Sequence, residues 1–115
     1  MIIKNISIEN FLCYYGLKEF ELSKGLNVIL GNNGEGKTKF FEAIDWLFNG
    51  DDRNLELLVS AKTLSESEIE SSFRVRVSIV VEQYDEKKVI AKSFIVKKEK
   101  KNNLNISNYM LEGIE

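Results

Sequence analysis

The residues Gly31-Asn32-Asn33-Gly34-Glu35-Gly36-Lys37-Thr38 follow the order G-x-x-x-x-G-K-[ST] at every fixed position. Each residue type has a physical task in that pattern. Glycines let the backbone take positive φ and approach a ligand closely, so that successive N–H groups converge on phosphate oxygens. Lys37 is a compact charge placed to bridge the outer phosphates of a nucleotide, which makes it the candidate catalytic residue. The Thr38 hydroxyl is a hard oxygen ligand suited to Mg²⁺. The candidate binding set is therefore Gly31, Asn32, Asn33, Gly34, Glu35, Gly36, Lys37, Thr38 and the adjoining Lys39, with Thr38 as metal ligand. At ordinary residue frequencies a chance match in a chain of this length is roughly a few in a thousand. The bland alternative is a glycine-rich turn whose lysine merely faces solvent.

The elements around the motif favour the phosphate reading. Leu26 to Leu30 is short and nearly all apolar, as expected of a strand buried on both faces. After Thr38 the period changes: Phe40, Ala43, Ile44, Leu47 and Phe48 fall at helical spacing, with Phe41 and Trp46 widening the stripe. The pattern predicts a helix from about Lys37 to Phe48, stopped by Asn49-Gly50, with Phe40, Ile44, Leu47 and Phe48 on its buried face. A strand, a glycine loop and a helix N-terminus in that order aim backbone donors and a helix dipole at one anion.

Elsewhere alternation dominates. Ile2, Ile6 and Ile8 share one face of a strand from about residue 2 to 10, and Phe20 and Leu22 mark a second strand after a turn at Gly16. Residues 51–70 are polar and weakly patterned, which predicts a loop with at most one helical turn. Phe73, Val75, Val77, Ile79 and Val81 alternate with Arg74, Arg76 and Ser78 in the clearest half-buried strand. Tyr84 to Lys87 makes a turn, Val89 to Val96 returns as a hairpin partner, and a last short element covers Ile106 to Leu111. From Lys97 a lysine- and asparagine-rich tail is expected. The fold class is α/β, with antiparallel strands flanking a central P-loop strand and one main helix.

With 115 residues, 43% hydrophobic and 30% charged, residues 1–115 make one domain at most, of ordinary globular composition. No apolar run reaches the ~18 residues of a membrane helix, so the expected compartment is the cytoplasm. One cysteine, Cys13, excludes an internal disulfide and reads as a packing residue; without histidine, a His-based triad is excluded as well. The net charge of −2 hides an asymmetry, because Lys87 to Lys101 carries seven lysines against Glu99. Such an arm can attract nucleic-acid phosphates or serve as a solvated strand end.

The wider segment resembles the N-terminal half of an ABC-type ATPase head of the SMC, RecF and RecN kind. Ile8-Glu9-Asn10-Phe11 is similar to the family's "I-x-N-F" start, and Gly25-Leu26-Asn27-Val28-Ile29 to its "G-l-n-v-I". The loop has its "G-x-N-G-x-G-K-T" form, and Glu42-Ala43-Ile44 with Leu47 to Gly50 resembles "E-A-I … l-f-G". Tyr14-Tyr15-Gly16 and Trp46-Leu47-Phe48 look most like DndD-type ATPases of DNA sulfur modification. The resemblance implies ATP and Mg²⁺ as cofactors, DNA as partner of the whole protein, a C-terminal lobe to complete the head, and homodimerisation. It also implies that these residues are an N-terminal fragment, able to hold phosphates but inactive alone.

Two departures bear on that. Leu12 stands where many relatives carry a basic residue after Asn-Phe. No L-S-G-G-Q signature or apolar strand ending in Asp-Glu is present; Ile79-Val80-Val81-Glu82 reads as a plain strand and Gln83 lies in a turn. The competing functions are a small stand-alone kinase or GTPase-like P-loop protein, and a nucleic-acid-binding module with a vestigial phosphate loop. Against the former, no N-K-x-D or following D-x-x-G motif occurs.

Overall fold

The computed structural model describes residues 2–21, 34–100 and 103–113. Its strands are β1 (Ile2–Glu9), β2 (Leu17–Glu21), β3 (Ser72–Gln83), β4 (Glu86–Lys100) and β5 (Asn103–Glu112), and its helices α1 (Gly34–Asn49) and α2 (Ala61–Glu66). A 3-10 turn, Leu55–Leu58, lies between the helices. The strands form one sheet in the order β2-β1-β3-β4-β5, every neighbour antiparallel.

Alternation sets the two faces of this sheet. Ile6 pairs with Ile79 and Ile8 with Val77, while Val75 pairs with Phe94 across the next ladder. These six share one face and are at most 3% exposed. The stripe of α1 that joins them is Phe40, Ala43, Trp46 and Leu47. Trp46 lies between Phe11 and Phe94, with ring centroids 5.4 Å and 5.9 Å away. Each large side chain buried here contributes about 1.5–3 kcal/mol. The opposite face, with Arg74, Arg76, Ser78 and Val80 on β3, carries no second layer of described residues.

The predicted strand Leu26 to Leu30 lies outside the described residues. Within the described sheet the central strand is β3, because its neighbours β1 and β4 both pair along most of its length. The helix begins at Gly34 rather than Lys37 and ends at Asn49. Of its predicted buried face, Phe40 and Leu47 are buried and Ile44 half-buried, but Phe48 is 49% exposed. Trp46 supplies the reason: its ring fills the space over Phe94, which turns Phe48 onto the flank.

Three further expectations change. Cys13 is exposed, not packed. Residues 51–70 hold both the 3-10 turn and α2, anchored by Leu55 at 5% exposure and by Ser60, whose side chain caps α2 by accepting from the Thr63 N–H. The lysine-rich tail is strand: β4 continues to Lys100 and pairs with β5, longer than the short element predicted.

The β3–β4 hairpin turns on two residues, with Gln83 opposite Glu86. Tyr84 and Asp85 both have positive φ, 54° and 62°, as a type I′ turn requires. Asp85 tolerates this region but Tyr84 does not adopt it easily, and Tyr84 is 90% exposed, so nothing packs against it. The double substitution Tyr84→Asn/Asp85→Gly is expected to raise Tm by about 4–8 °C by relieving that strain. Thermal melts of the two proteins check it.

Candidate nucleotide-phosphate site

The phosphate motif divides between the described and undescribed residues. Gly31, Asn32 and Asn33 lie outside the described ones. Gly34, Glu35, Gly36, Lys37 and Thr38 are the first residues of α1. The four N–H groups that open any α-helix have no acceptor within it, and the dipole adds a partial positive charge there. The backbone around Lys37 is thus the donor-rich end of a helix 16 residues long. Lys39 points elsewhere: its ammonium meets the Glu42 carboxylate one turn on, at 3.5 Å. Among the described residues no cluster of His, Cys, Asp and Glu could hold a metal by itself.

The Asn10-Phe11 pair proves architectural. Asn10 is 8% exposed and takes the left-handed conformation, φ 54°. Its side-chain amide donates to the Arg74 carbonyl at 2.8 Å. Its Oδ1 accepts from the Gly16 N–H at 3.0 Å and from the Thr63 hydroxyl at 2.8 Å. Its own N–H reaches the Gly16 carbonyl and its carbonyl accepts from Ser60 N–H. One side chain therefore ties the β1–β2 turn, β3 and α2 together. Phe11 beside it is fully buried and bridges to Val59. Leu12, which stands in place of a basic residue, has φ 51° and donates its N–H to the Leu58 carbonyl.

Three lysines of the basic arm are occupied within the fold. Lys98 donates to the Leu64 and Ser67 carbonyls, both at 3.0 Å, capping the end of α2. Lys97 pairs with Glu70 at 3.1 Å. Lys92 is 5% exposed and donates to the Trp46 carbonyl at 3.1 Å and to the Gly50 carbonyl. Burial pushes its ammonium pKa down, with Asp51 opposing that shift. Its Nζ also stands 5.8 Å from the centre of the Trp46 ring. By sequence alone this lysine belongs to a basic arm, read either as a contact for nucleic-acid phosphates or as a solvated strand end. The signal that finds it is parity: Ile90, Lys92, Phe94 and Val96 occupy the inward positions of β4, and only one of them is charged.

Glu82, the nearest imitation of a metal-binding strand end, sits on the sheet face away from α1 and meets Lys4 at 3.9 Å. Gln83 is exposed beside the hairpin turn. No described helix is long and apolar enough to cross a membrane, which says nothing of a β-barrel.

Part of the chain is similar to known proteins. The DNA replication and repair protein RecF of Streptococcus uberis is 51% identical over 47 residues, 41% of this chain and 13% of that protein. The DNA double-strand break repair Rad50 ATPase of Methanococcus maripaludis is 44% identical over 46 residues, 40% of this chain and 4% of the other. The chromosome partition protein Smc of Desulfitobacterium hafniense is 36% identical over 47 residues, 41% of this chain and 4% of its own length. The chain thus spans a small part of the length of these relatives. No solved structure gives a significant match. A family model described as an AAA domain matches residues 5–114, so the chain belongs to this AAA domain family (AAA_23), with the likeness of an N-terminal lobe of an SMC/RecF-like ABC ATPase.

Proposed function

We propose that this chain is the ATP-binding lobe of an SMC-like ATPase head that couples ATP binding and hydrolysis to action on DNA. The observation that carries the reading is that Gly34-Glu35-Gly36-Lys37-Thr38, the last five residues of G-x-x-x-x-G-K-T, open α1. That turn offers backbone donors and a positive dipole end to an anion, to which Lys37 would add its charge. Gly31, Asn32, Asn33, Gly34, Glu35 and Gly36 would wrap the phosphates from the backbone, with Lys39 at the margin. Leu26 to Leu30 would form the strand that delivers the loop. Mg²⁺, when bound with the nucleotide, neutralises phosphate charge; the Thr38 hydroxyl would supply one of its oxygens.

Hydrolysis needs a carboxylate that activates water and a partner surface that closes the site. Among the described residues the inward positions of β1 and β3 carry no acid for that task. A C-terminal lobe would supply it, and a second copy and DNA are the partners that go with the reading. The names of RecF, Rad50 and Smc, tied to DNA repair and chromosome partition, support DNA as the object of the work. The alternative of a nucleic-acid module built on the lysine arm loses support, since Lys92 and Lys98 are engaged by backbone carbonyls within the fold. The DndD-like residues do not refine the reading, because Trp46 and Leu47 are buried core.

Calorimetry tests the site. Pyrophosphate and ATP are expected to bind with similar affinity, strengthened by Mg²⁺, and Lys37→Ala should weaken both about tenfold or more. Thr38→Val should mainly remove the Mg²⁺ dependence. Strong discrimination for the base, or binding indifferent to Lys37, rules the reading out.

A further inference from the structure

We infer that Lys92 is a positioning residue for the phosphate loop, holding α1 in place from the end opposite the nucleotide. The inference rests on the phosphate reading of α1's first turn. The apolar stripe of Phe40, Ala43, Trp46 and Leu47 fixes which face of α1 meets the sheet. Such contacts are non-directional and resist sliding along the axis only weakly. Directional contacts set the axial position, and Lys92 supplies them. Its ammonium, carried on β4, reaches past the core to the carbonyls of Trp46 and Gly50, where the helix leaves its last turn.

Two observations independent of that hydrogen bonding make the contact a stop. Gly50 leaves no room for movement toward the helix: a Cβ there would come within 2.1 Å of Trp46 Cδ1. Trp46 itself is held between Phe11 and Phe94. Lys92 is also the one cation in the core among the described residues. A buried cation is a poor source of stability when an apolar residue of similar length could take its place, but it fixes geometry through the acceptors it demands. A helix transmits displacement along its axis rigidly, so a shift at Gly50 moves the donors at Gly34.

Lys92→Met keeps the length and apolar stem and removes the ammonium. Pyrophosphate affinity is expected to fall about tenfold, against wild type, through a displaced loop. Lys98→Met is the control, since it removes a like cap from α2, which carries no part of the phosphate motif. It should leave pyrophosphate affinity within about twofold even where it lowers Tm equally. Lys92→Gln, which keeps a donor without the charge, covers the case in which the methionine variant does not fold, and should fall between wild type and methionine. Affinity in a folded Lys92 variant equal to wild type, or an equal loss in Lys98→Met, overturns the inference. A wild-type protein that binds no pyrophosphate, or binds it independently of Lys37, overturns instead the reading on which it rests.

Discussion

Asn10→Ala is expected to destabilise the protein by about 3–5 kcal/mol, the largest effect of any single polar substitution here. The substitution strands three partners at once. The Arg74 carbonyl loses its amide donor, and the Gly16 N–H and Thr63 hydroxyl lose their shared acceptor. The bond to Thr63 is buried and the other two are partly buried, and each costs up to about 1–3 kcal/mol if left unmade. Alanine also resists the left-handed conformation at φ 54° by about 1 kcal/mol, where asparagine is tolerated. Asn10→Gly should therefore recover about 1 kcal/mol of the loss while the hydrogen bonds stay broken. Thr63→Val should cost less than either, since it removes one partner only. Urea unfolding of the three variants gives the ranking; an alanine variant within about 1 kcal/mol of wild type defeats the assignment of Asn10 as the joint between β1, β3 and α2.

Gly50→Ala should be nearly as severe, at about 2–3 kcal/mol, through overpacking rather than loss of contacts. The added methyl meets Trp46 Cδ1 at 2.1 Å and the Trp46 carbonyl at 2.7 Å. The carbonyl belongs to α1 and cannot swing aside. The ring is packed on Phe11 and Phe94, and its Nε1 donates to the Asp51 carbonyl at 3.4 Å. Relief must come from a backbone shift that also draws the Gly50 carbonyl away from Lys92. Because the chain has one tryptophan, its emission reports the change directly. A red-shifted spectrum together with a lowered unfolding midpoint is expected. An unchanged spectrum with unchanged stability shows that the contact yields freely.

Much of this was legible in the sequence, and for identifiable reasons. The run Phe73 to Val81 alternates without interruption, and strict period two admits only a half-buried strand. Phe40, Ala43 and Leu47 gave α1 its place because their spacing matches one helical face. The G-x-x-x-x-G-K-T order is readable because it depends on residue types at fixed intervals rather than on distant packing. Other features depend on contacts between segments far apart in the chain. Phe48 fits the helical stripe as well as Trp46 does, and only the space above Phe94 decides between them. Lys92 and Lys98 look like solvated charge until the carbonyls at the ends of α1 and α2 are seen beneath them. Asn10 carries a hub of hydrogen bonds to residues up to 64 positions away, which no local pattern announces.

The position of β1 has a consequence for how the chain is born. β1 lies between β2 and β3, so its second ladder waits for residues 72–83 while β3, β4 and β5 join through short connections. On a ribosome the phosphate motif and α1 therefore emerge well before the surface on which α1 comes to rest. Closing the long β1–β3 loop costs entropy that only the completed core repays, which makes this ladder a late event in assembly. Until then Phe40, Trp46 and Leu47 lack the β3 and β4 residues they pack on, so this apolar stretch is the one a nascent-chain chaperone would meet.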